Sequence, residues 1–405
     1  MRDILKNKLV WIAALGYAVD LFDLVLYGVV RVSSLKAIHV ADADIFRVGS
    51  MLLNCQMAGM LVGGFIWGAI GDKIGRRGAL FGSILLYSLA TFGNAFVVDV
   101  NSYAVLRFLA GFGLAGELGA ALTLVTESLP QATRGIGAAL ITAVGYSGAA
   151  LSSYFTQKMA WQHAYELGGV LGMFLLIARL NIQESAVFIQ SKKNKIATKW
   201  GSWKQILFNK RRFGIFFCGL IVGIPIWYVA GILSYFAPEI ASDFRITGVT
   251  AGTTIMVGYI GALFGNVTCA FLSQYLKSRK KALITFLCMS ATAVIASTFI
   301  LYDKNSTWYY ATRMLIGFGN GFFIILLTWM AEAFGTNLRS TVTTNVSNIV
   351  RASVIPLTLA FEALRPSFGF VNGSLYIGLV CFAAALICAL FIPETFHREL
   401  DYLEV

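Results

Sequence analysis

The chain has 405 residues, 58% of them hydrophobic and only 13% charged, with a mean hydropathy of +0.73. Soluble domains carry about 25% charged residues, so this composition excludes one and reads as a polytopic membrane protein. The net charge of +12 does not point to nucleic acid, because the basic residues gather in short linkers on alternate sides of the apolar segments, the pattern that orients helices in a bilayer.

Twelve apolar stretches approach the about 20 residues that a spanning helix needs. They are 9–31, 47–70, 79–98, 103–127, 136–157 and 164–181, then 213–236, 249–275, 281–301, 308–333, 341–363 and 371–392. The opening MRDILKNK and the run behind it are read as an uncleaved first helix, since the run continues through Asp20 and Asp23 without a small-residue cleavage site. With the N-terminus inside, about 22 of the 32 Lys/Arg fall on the cytoplasmic side and about 7 outside, while Arg107, Arg313 and Arg351 lie within helices. Both termini are therefore expected in the cytoplasm.

Helix 1 holds the stretch GYAVDLFDLVLYG, residues 16–28. Asp20 and Asp23 are three apart and share a helix face, which Tyr17 and Tyr27 extend by about a turn each way. An unpaired intramembrane carboxylate costs at least about 2.5–3.5 kcal/mol and usually marks a proton relay or substrate path. Helix 2 contributes Asn54 and Gln56 as uncharged polar candidates. The loop behind it reads Gly68-x2-Gly71-Asp72-x2-Gly75-Arg76-Arg77, in which glycines let helix ends approach and Asp72 can cap or pair.

Helix 4 carries Arg107, able to hold a carboxylate bidentately or to counter the helix-1 acids. It also carries Glu117, costly at mid-membrane unless paired or protonated. Glu127 with Arg134, and Glu332 with Arg339, straddle the cytoplasmic ends of helices 4 and 10 and are expected to form gating ion pairs. The basic stretch 183–212 is the one long polar linker, and Trp200 and Trp203 suggest that part of it lies on the membrane surface. Pro225 in helix 7 and Pro356 in helix 11 can open the helix ladder where it lines a cavity. Arg351 in helix 11 has no counterpart in the first half, where Tyr146 stands, and is a candidate anion-binding residue. Asn266, Asn320, Asn345 and Asn348 are further polar candidates, Asn320 being assigned to the substrate.

An internal repeat fixes the architecture. Arg107-x3-Gly111, Glu127 and Arg134 recur as Arg313-x3-Gly317, Glu332 and Arg339, at offsets of 206, 206, 205 and 205 residues. GDKIGRRGAL (71–80) recurs in register as QYLKSRKKAL (274–283). Two six-helix halves related in this way are the layout of a rocking transporter with its substrate between them. The expected division is residues 1–182, a linker 183–212, and residues 213–405.

Gly68, Gly71, Asp72, Gly75, Arg76 and Arg77, together with Arg107 and Gly111, resemble the signatures of the major facilitator superfamily. The resemblance covers essentially the whole chain. It implies an all-α fold of twelve helices in two pseudo-symmetric bundles and a loop that stabilises the outward-open state. The second copy has Tyr275 where Asp72 would fall, so that role attaches to the first copy only. GYAVDLFDLVLYG, RFLAGFGLAGELGAALTLVTESLPQATRG (107–135), QESAVF (183–188), YFAPEI (235–240) and IPETFHREL (392–400) resemble the metabolite:proton symporter branch. That branch implies import of osmolytes or carboxylates across a bacterial inner membrane. Sugar porters and drug antiporters are disfavoured: GIPIWYVAG (223–231) has no glutamine and GYSGAALSS (145–153) no proline.

The reading is a proton-driven importer of a small polar metabolite, with Asp23 assigned the proton, Asp20 the substrate or a share of that proton, and Glu117 as a second coupling acid. Arg107, Arg351, Tyr17, Tyr27, Gln56 and Asn320 are the substrate candidates. A proton-coupled exporter, and a sensor that moves nothing, are the alternatives. Six cysteines within apolar segments and three histidines in loops or the tail give no metal spacing. Without a nucleophile–base pair the chain is read as no enzyme and as needing no cofactor. Its partners are substrate, protons and lipid, and it is read as a monomer.

Overall fold

The computed structural model describes residues 8–74, 76–117, 131–180 and 203–396. Within these, the side chains of 8–9, 68–69, 71–74, 76, 131–139, 204, 336–337, 339–340 and 344 lie outside the description. The helices are numbered as the predicted ones were. The first half comprises α1 (Lys8–Ala37), α2 (Ile45–Ile74), α3 (Arg76–Gly93), α4 (Val100–Leu114), α5 (Gln131–Thr156) and α6 (Trp161–Ala178). The second begins with α7 (Lys210–Tyr228), α8 (Ala251–Tyr275), α9 (Arg279–Ile300) and α10 (Ser306–Gly319, resuming as Phe323–Ala333). Then α11 starts as Thr336–Ala352. The stretch Val354–Phe391 that follows is broken at Gly369, whose φ of 72° no helical residue adopts. The part before that turn completes α11, and 370–391 is α12.

The starts of these helices are written in their flanking residues. Asp99, Asn209, Thr250, Ser278 and Asn305 each accept a hydrogen bond from the first-turn backbone N–H groups of α4, α7, α8, α9 and α10, satisfying donors that a helix leaves open. Outside the bundles the surface is greasy: Phe174 is 70% and Phe299 75% exposed, which suits lipid and not water. Among the described residues, eight helical spans are long and apolar enough to cross a membrane.

The two halves repeat each other in three dimensions. A methyl group on Gly111 of α4 would collide with the Gln56 carbonyl of α2, and one on Gly59 of α2 with the Phe108 carbonyl of α4. In the second half Gly317 of α10 faces the Gly258 carbonyl of α8 in the same way, and Gly261 faces that of Met314. Only glycine permits backbones this close, so the Arg-x3-Gly repeat records two copies of one helix crossing. The halves meet along two seams, α5 against α8 and α2 against α11.

Among the described residues four helices depart from the continuous predicted spans, helix 4 by a turn at 115–116 and helix 11 by one at 353. Helix 10 breaks at 320–322, because Gly319 and Gly321 bring its backbone against Ser290 of α9 and Gly265 of α8. Helix 7 widens after Pro225 into a π-helical segment, Val229–Ser234, before the short helix Ala237–Asp243. Proline removes a ladder hydrogen bond, and a π segment often marks a functional site.

Candidate functional site

The widened part of α7 and the break in α10 face each other across one cavity. The space between them, with the open solvent at its mouth included, is about 690 Å³. Tyr17 of α1 and Tyr146 of α5 line it from the first half. Trp227, Tyr259, Phe323, Arg313, Asn320 and Arg351 line it from the second. Its walls set five aromatic rings among aliphatic side chains, and its charged lining consists of two guanidinium groups without a carboxylate.

Both arginines are held by ring faces. The Arg351 guanidinium carbon lies 5.8 Å from the Trp227 ring centroid, and that of Arg313 lies 4.5 Å from the Tyr309 ring. Each is buried, each has an Nε without a hydrogen-bond partner, and neither forms an ion pair among the described residues. Asn320 donates from Nδ2 to the Ile226 carbonyl at 3.2 Å, and its buried Oδ1 has no partner. Buried polar atoms without partners are rare, and three lie on residues that line this cavity.

Behind Tyr17 lies a second charged region, inside the first half. Asp20, Asp23, Glu117, Arg107 and Arg179 are all buried there. Glu117, just past α4, is ion-paired with Arg179, just past α6, and a side chain on Gly16 would fall on that guanidinium. Asp23 accepts from the Thr91 hydroxyl at 2.7 Å. Arg107 faces Asp23 without forming an ion pair. Its Nε donates to Asn94 Oδ1 at 3.2 Å, and its guanidinium lies 5.0 Å from the Tyr165 ring. Asp20 differs from both other acids: it has neither a hydrogen bond nor an ion pair among the described residues. The charges acting on it are those of Glu117, Arg179, Arg351 and Asp23.

Of the six residues assigned to substrate from sequence, Tyr17, Asn320 and Arg351 line the cavity, while Arg107, Tyr27 and Gln56 do not. Tyr27 instead donates to the Gly49 carbonyl at 2.9 Å, and Gln56 is wholly buried against the α2–α4 crossing. The predicted partnership of Glu332 with Arg339 rests on a side chain outside the described residues. Glu332 binds Arg279 through both oxygens, at 3.1 and 3.3 Å, and accepts from the Thr395 hydroxyl at 2.7 Å. All three belong to the second half. Arg77 donates to the Leu180 carbonyl at 2.9 Å. Gly75 and Glu127, and the side chains of Gly68, Gly71, Asp72, Arg76, Arg134 and Arg339, lie outside the described residues.

Sequence reasoning missed a cluster at the end of the bundles remote from the N-terminus, here the distal side. Arg31 of α1 forms an ion pair at 2.5 Å with Glu239, which follows α7. It also donates to the Tyr235 carbonyl at 3.2 Å and lies 4.7 Å from the Phe236 ring. The Tyr235 hydroxyl returns to the Leu24 carbonyl at 2.7 Å. Phe46 of α2 packs against Phe236, Phe361 and Phe370 with centroids 4.9–5.6 Å apart. Every one of these contacts joins the two halves on the distal side. Arg31 and Glu239 stand 208 positions apart, so the only sequence clue was that each is a lone charge near the end of an apolar segment.

The sequence profile of the Major Facilitator Superfamily matches residues 13–358. The chain is 26% identical over 400 residues to the cis,cis-muconate transport protein of Acinetobacter baylyi, covering 94% of this chain and 93% of that one. It is 24% identical over 425 residues to the niacin transporter NiaP of the same organism, covering 97% and 95%. Among solved structures, the xylose transporter XylE of E. coli, in a partially occluded inward-open conformation, superposes with a TM-score of 0.76 at 15% identity, covering 97% of this chain and 99% of that one. With a twelve-helix fold in two bundles, a central cavity at their seam and a family match across most of its length, the chain belongs to the Major Facilitator Superfamily and is a multi-pass membrane transporter, not an enzyme.

Proposed function

We propose that this transporter is a proton-coupled importer of a small carboxylate with a flat, apolar body. The observation that carries this reading is the cavity lining: two arginines without ion-pair partners among the described residues, no acid, and five Tyr, Trp and Phe rings set among aliphatic side chains. A guanidinium recognises a carboxylate with two parallel hydrogen bonds, and aromatic walls favour a planar substrate. A sugar would need many neutral hydrogen-bonding groups, and a cation would meet two positive charges. Niacin is a pyridine carboxylate and muconate an unsaturated dicarboxylate, so the substrates named for the two relatives have the same chemistry.

Arg351 and Arg313 hold the carboxylate, with Tyr17, Asn320 and Trp227 around it. Asp20 carries the proton, because Asp23 is occupied by Thr91 and Glu117 by Arg179, and an ionised carboxylate without partners is the costliest of the three to bury. Residues 1–182 and 213–405 are the halves that rock, joined by 183–212. The loop from Gly68 to Arg77 and the charges Glu127, Arg134, Glu332 and Arg339 control the terminal side. Both termini face the cytoplasm of a bacterial inner membrane, so the distal contacts close the carrier to the outside.

The test is uptake by purified protein in liposomes with an inward proton gradient. The labelled compounds are nicotinate, benzoate and muconate, with betaine and xylose for comparison. Accumulation of at least one of the acids above the level reached in protein-free liposomes, which the neutral acids enter unaided, is expected. Accumulation of betaine or xylose alone would defeat the carboxylate reading, and uptake driven only by an outward proton gradient would make the protein an exporter.

A further inference from the structure

Two glycines decide where one amide of helix 10 points. Gly319 brings the backbone against Ser290 of α9, and Gly321 brings it against Gly265 of α8. Asn320, between them, caps the first segment of α10 and turns the other way, towards α7. There its Nδ2 donates to the Ile226 carbonyl at 3.2 Å. A carbonyl cannot donate, so this bond fixes which end of the amide is nitrogen and leaves Oδ1 as the end without a bond. Asn320 belongs to the stripe Arg313, Gly317, Asn320 and Phe323, which α10 presents to the cavity at helical spacing. The residue is only 7% exposed, and Oδ1 has no hydrogen-bond partner among the described residues.

Oδ1 differs in kind from the other polar groups of that lining. The Arg313 and Arg351 guanidinium groups and the Trp227 indole only donate, and the hydroxyls of Tyr17, Tyr146, Ser234 and Tyr259 donate and accept. Among the lining side chains, Oδ1 alone can only accept. A buried acceptor left without a donor is costly, and its lone pairs repel a carboxylate, so the group that suits it is an N–H or O–H. Asn320 and Arg351 also reach adjacent residues of α7. The first holds the Ile226 carbonyl, and the guanidinium carbon of the second lies 5.8 Å from the Trp227 ring centroid. Both therefore border the same stretch of cavity wall.

We propose that Asn320 is a specificity-determining residue: while the arginines hold the carboxylate, Oδ1 accepts a hydrogen bond from a hydroxyl or N–H group on the substrate's ring. The inference rests on the carboxylate reading above and deepens it, naming the substrate class as an aromatic acid with a ring donor. Benzoate has no such donor and leaves Oδ1 unmatched. Nicotinate at neutral pH presents a ring nitrogen that only accepts, and it leaves Oδ1 unmatched as well.

The test is a set of dissociation constants, measured by titration calorimetry on purified wild type and Asn320→Ala in detergent. The ligands are benzoate, 3- and 4-hydroxybenzoate and the corresponding fluorobenzoates, in which fluorine nearly keeps the size of the hydroxyl and donates nothing. Wild type should bind at least one hydroxybenzoate about tenfold more tightly than its fluoro counterpart, the scale of one hydrogen bond to a buried acceptor. In Asn320→Ala that preference should vanish while the fluorobenzoates still bind. The comparison is made within one variant, so a loss common to all ligands from the broken Ile226 contact cancels. Asn320→Ser, whose shorter side chain withdraws the acceptor, takes the place of Asn320→Ala if the latter does not fold. Equal binding of hydroxy and fluoro acids by wild type, or a preference that survives in the Asn320 variant, overturns this inference alone. If the amide of the preferred hydroxybenzoate binds wild type as tightly as the acid does, the carboxylate reading falls and the donor reading stands. A wild type that binds none of these acids overturns both.

Discussion

Replacing Glu239 by Gln tests whether the distal ion pair holds the halves together. Arg31 is 1% exposed and Glu239 17%, so the pair is nearly, though not fully, out of water. Removing one partner of a buried pair costs about 3–5 kcal/mol, because the other charge is left uncompensated. With the partial exposure of Glu239 and the Tyr235 carbonyl still available to Arg31, about 2–4 kcal/mol is the reasoned loss. At about 1.4 kcal/mol per factor of ten, the distal-closed conformation should lose roughly thirty- to several-hundredfold in population relative to distal-open. Spin labels at Ala43 and Thr247, exposed positions on opposite halves of the distal side, report this by pulsed dipolar spectroscopy in a cysteine-free background. A longer-distance population should appear in Glu239→Gln and in Arg31→Gln, and should shrink again in Arg31→Glu/Glu239→Arg. Unchanged distance distributions in both single variants would refute the argument.

Three further outcomes are expected. Gly317→Ala puts a methyl group against the Gly258 backbone, so it should cost about 1–3 kcal/mol by overpacking, read as a lower melting temperature in detergent. Gly214→Ala, with open space around it, is the matched control and should leave stability unchanged. Asp20→Asn should abolish uphill accumulation, whereas Asp23→Asn, which can still accept from Thr91, should reduce its rate more than its extent; the reverse order would return the proton to Asp23. Glu394 caps the start of α9, accepting from the Ser278 hydroxyl and the Arg279 and Lys280 backbone N–H groups. Burial would raise its proton affinity, but these donors and its own loop's N–H groups outweigh burial and hold the carboxyl below the usual glutamate range. Its stabilising contribution is therefore complete above about pH 4.3, the unperturbed glutamate value, and is lost as pH falls through the lower folded value. Glu394→Gln should cost about 1–2 kcal/mol at pH 7 and flatten the acid limb of a melting-temperature profile.

The family loop and the IPETF tail show how a motif can be legible while its mechanics are not. The tail resembled one branch from its letters alone, yet Glu394 proves to be a cap for α9, and Thr395 a donor to Glu332. Such contacts join residues more than sixty positions apart. No local periodicity encodes them, because the helix period constrains only neighbours three or four residues away. Arg179 was overlooked for the same reason: at the end of helix 6 it reads as one more cytoplasmic anchor until the fold brings it against Glu117.

The sequence by itself determined the class, the twelve segments and the twofold internal repeat. These rest on hydropathy, on helix length against bilayer thickness, and on residues that recur at a fixed offset, all properties of the chain taken locally. It also picked out Tyr17, Asn320 and Arg351 as polar groups too costly to bury in lipid without a purpose. Only the tertiary structure decided which buried charges are already matched. Glu117 with Arg179 and Arg31 with Glu239 are pairs made across helices, and the second across halves. The stretch 16–28 thereby divides: Asp23 is engaged by Thr91, and Asp20 has neither a hydrogen bond nor an ion pair among the described residues. Pairing in a low-dielectric interior depends on distances of a few ångströms, and spacing along one helix cannot supply those between helices.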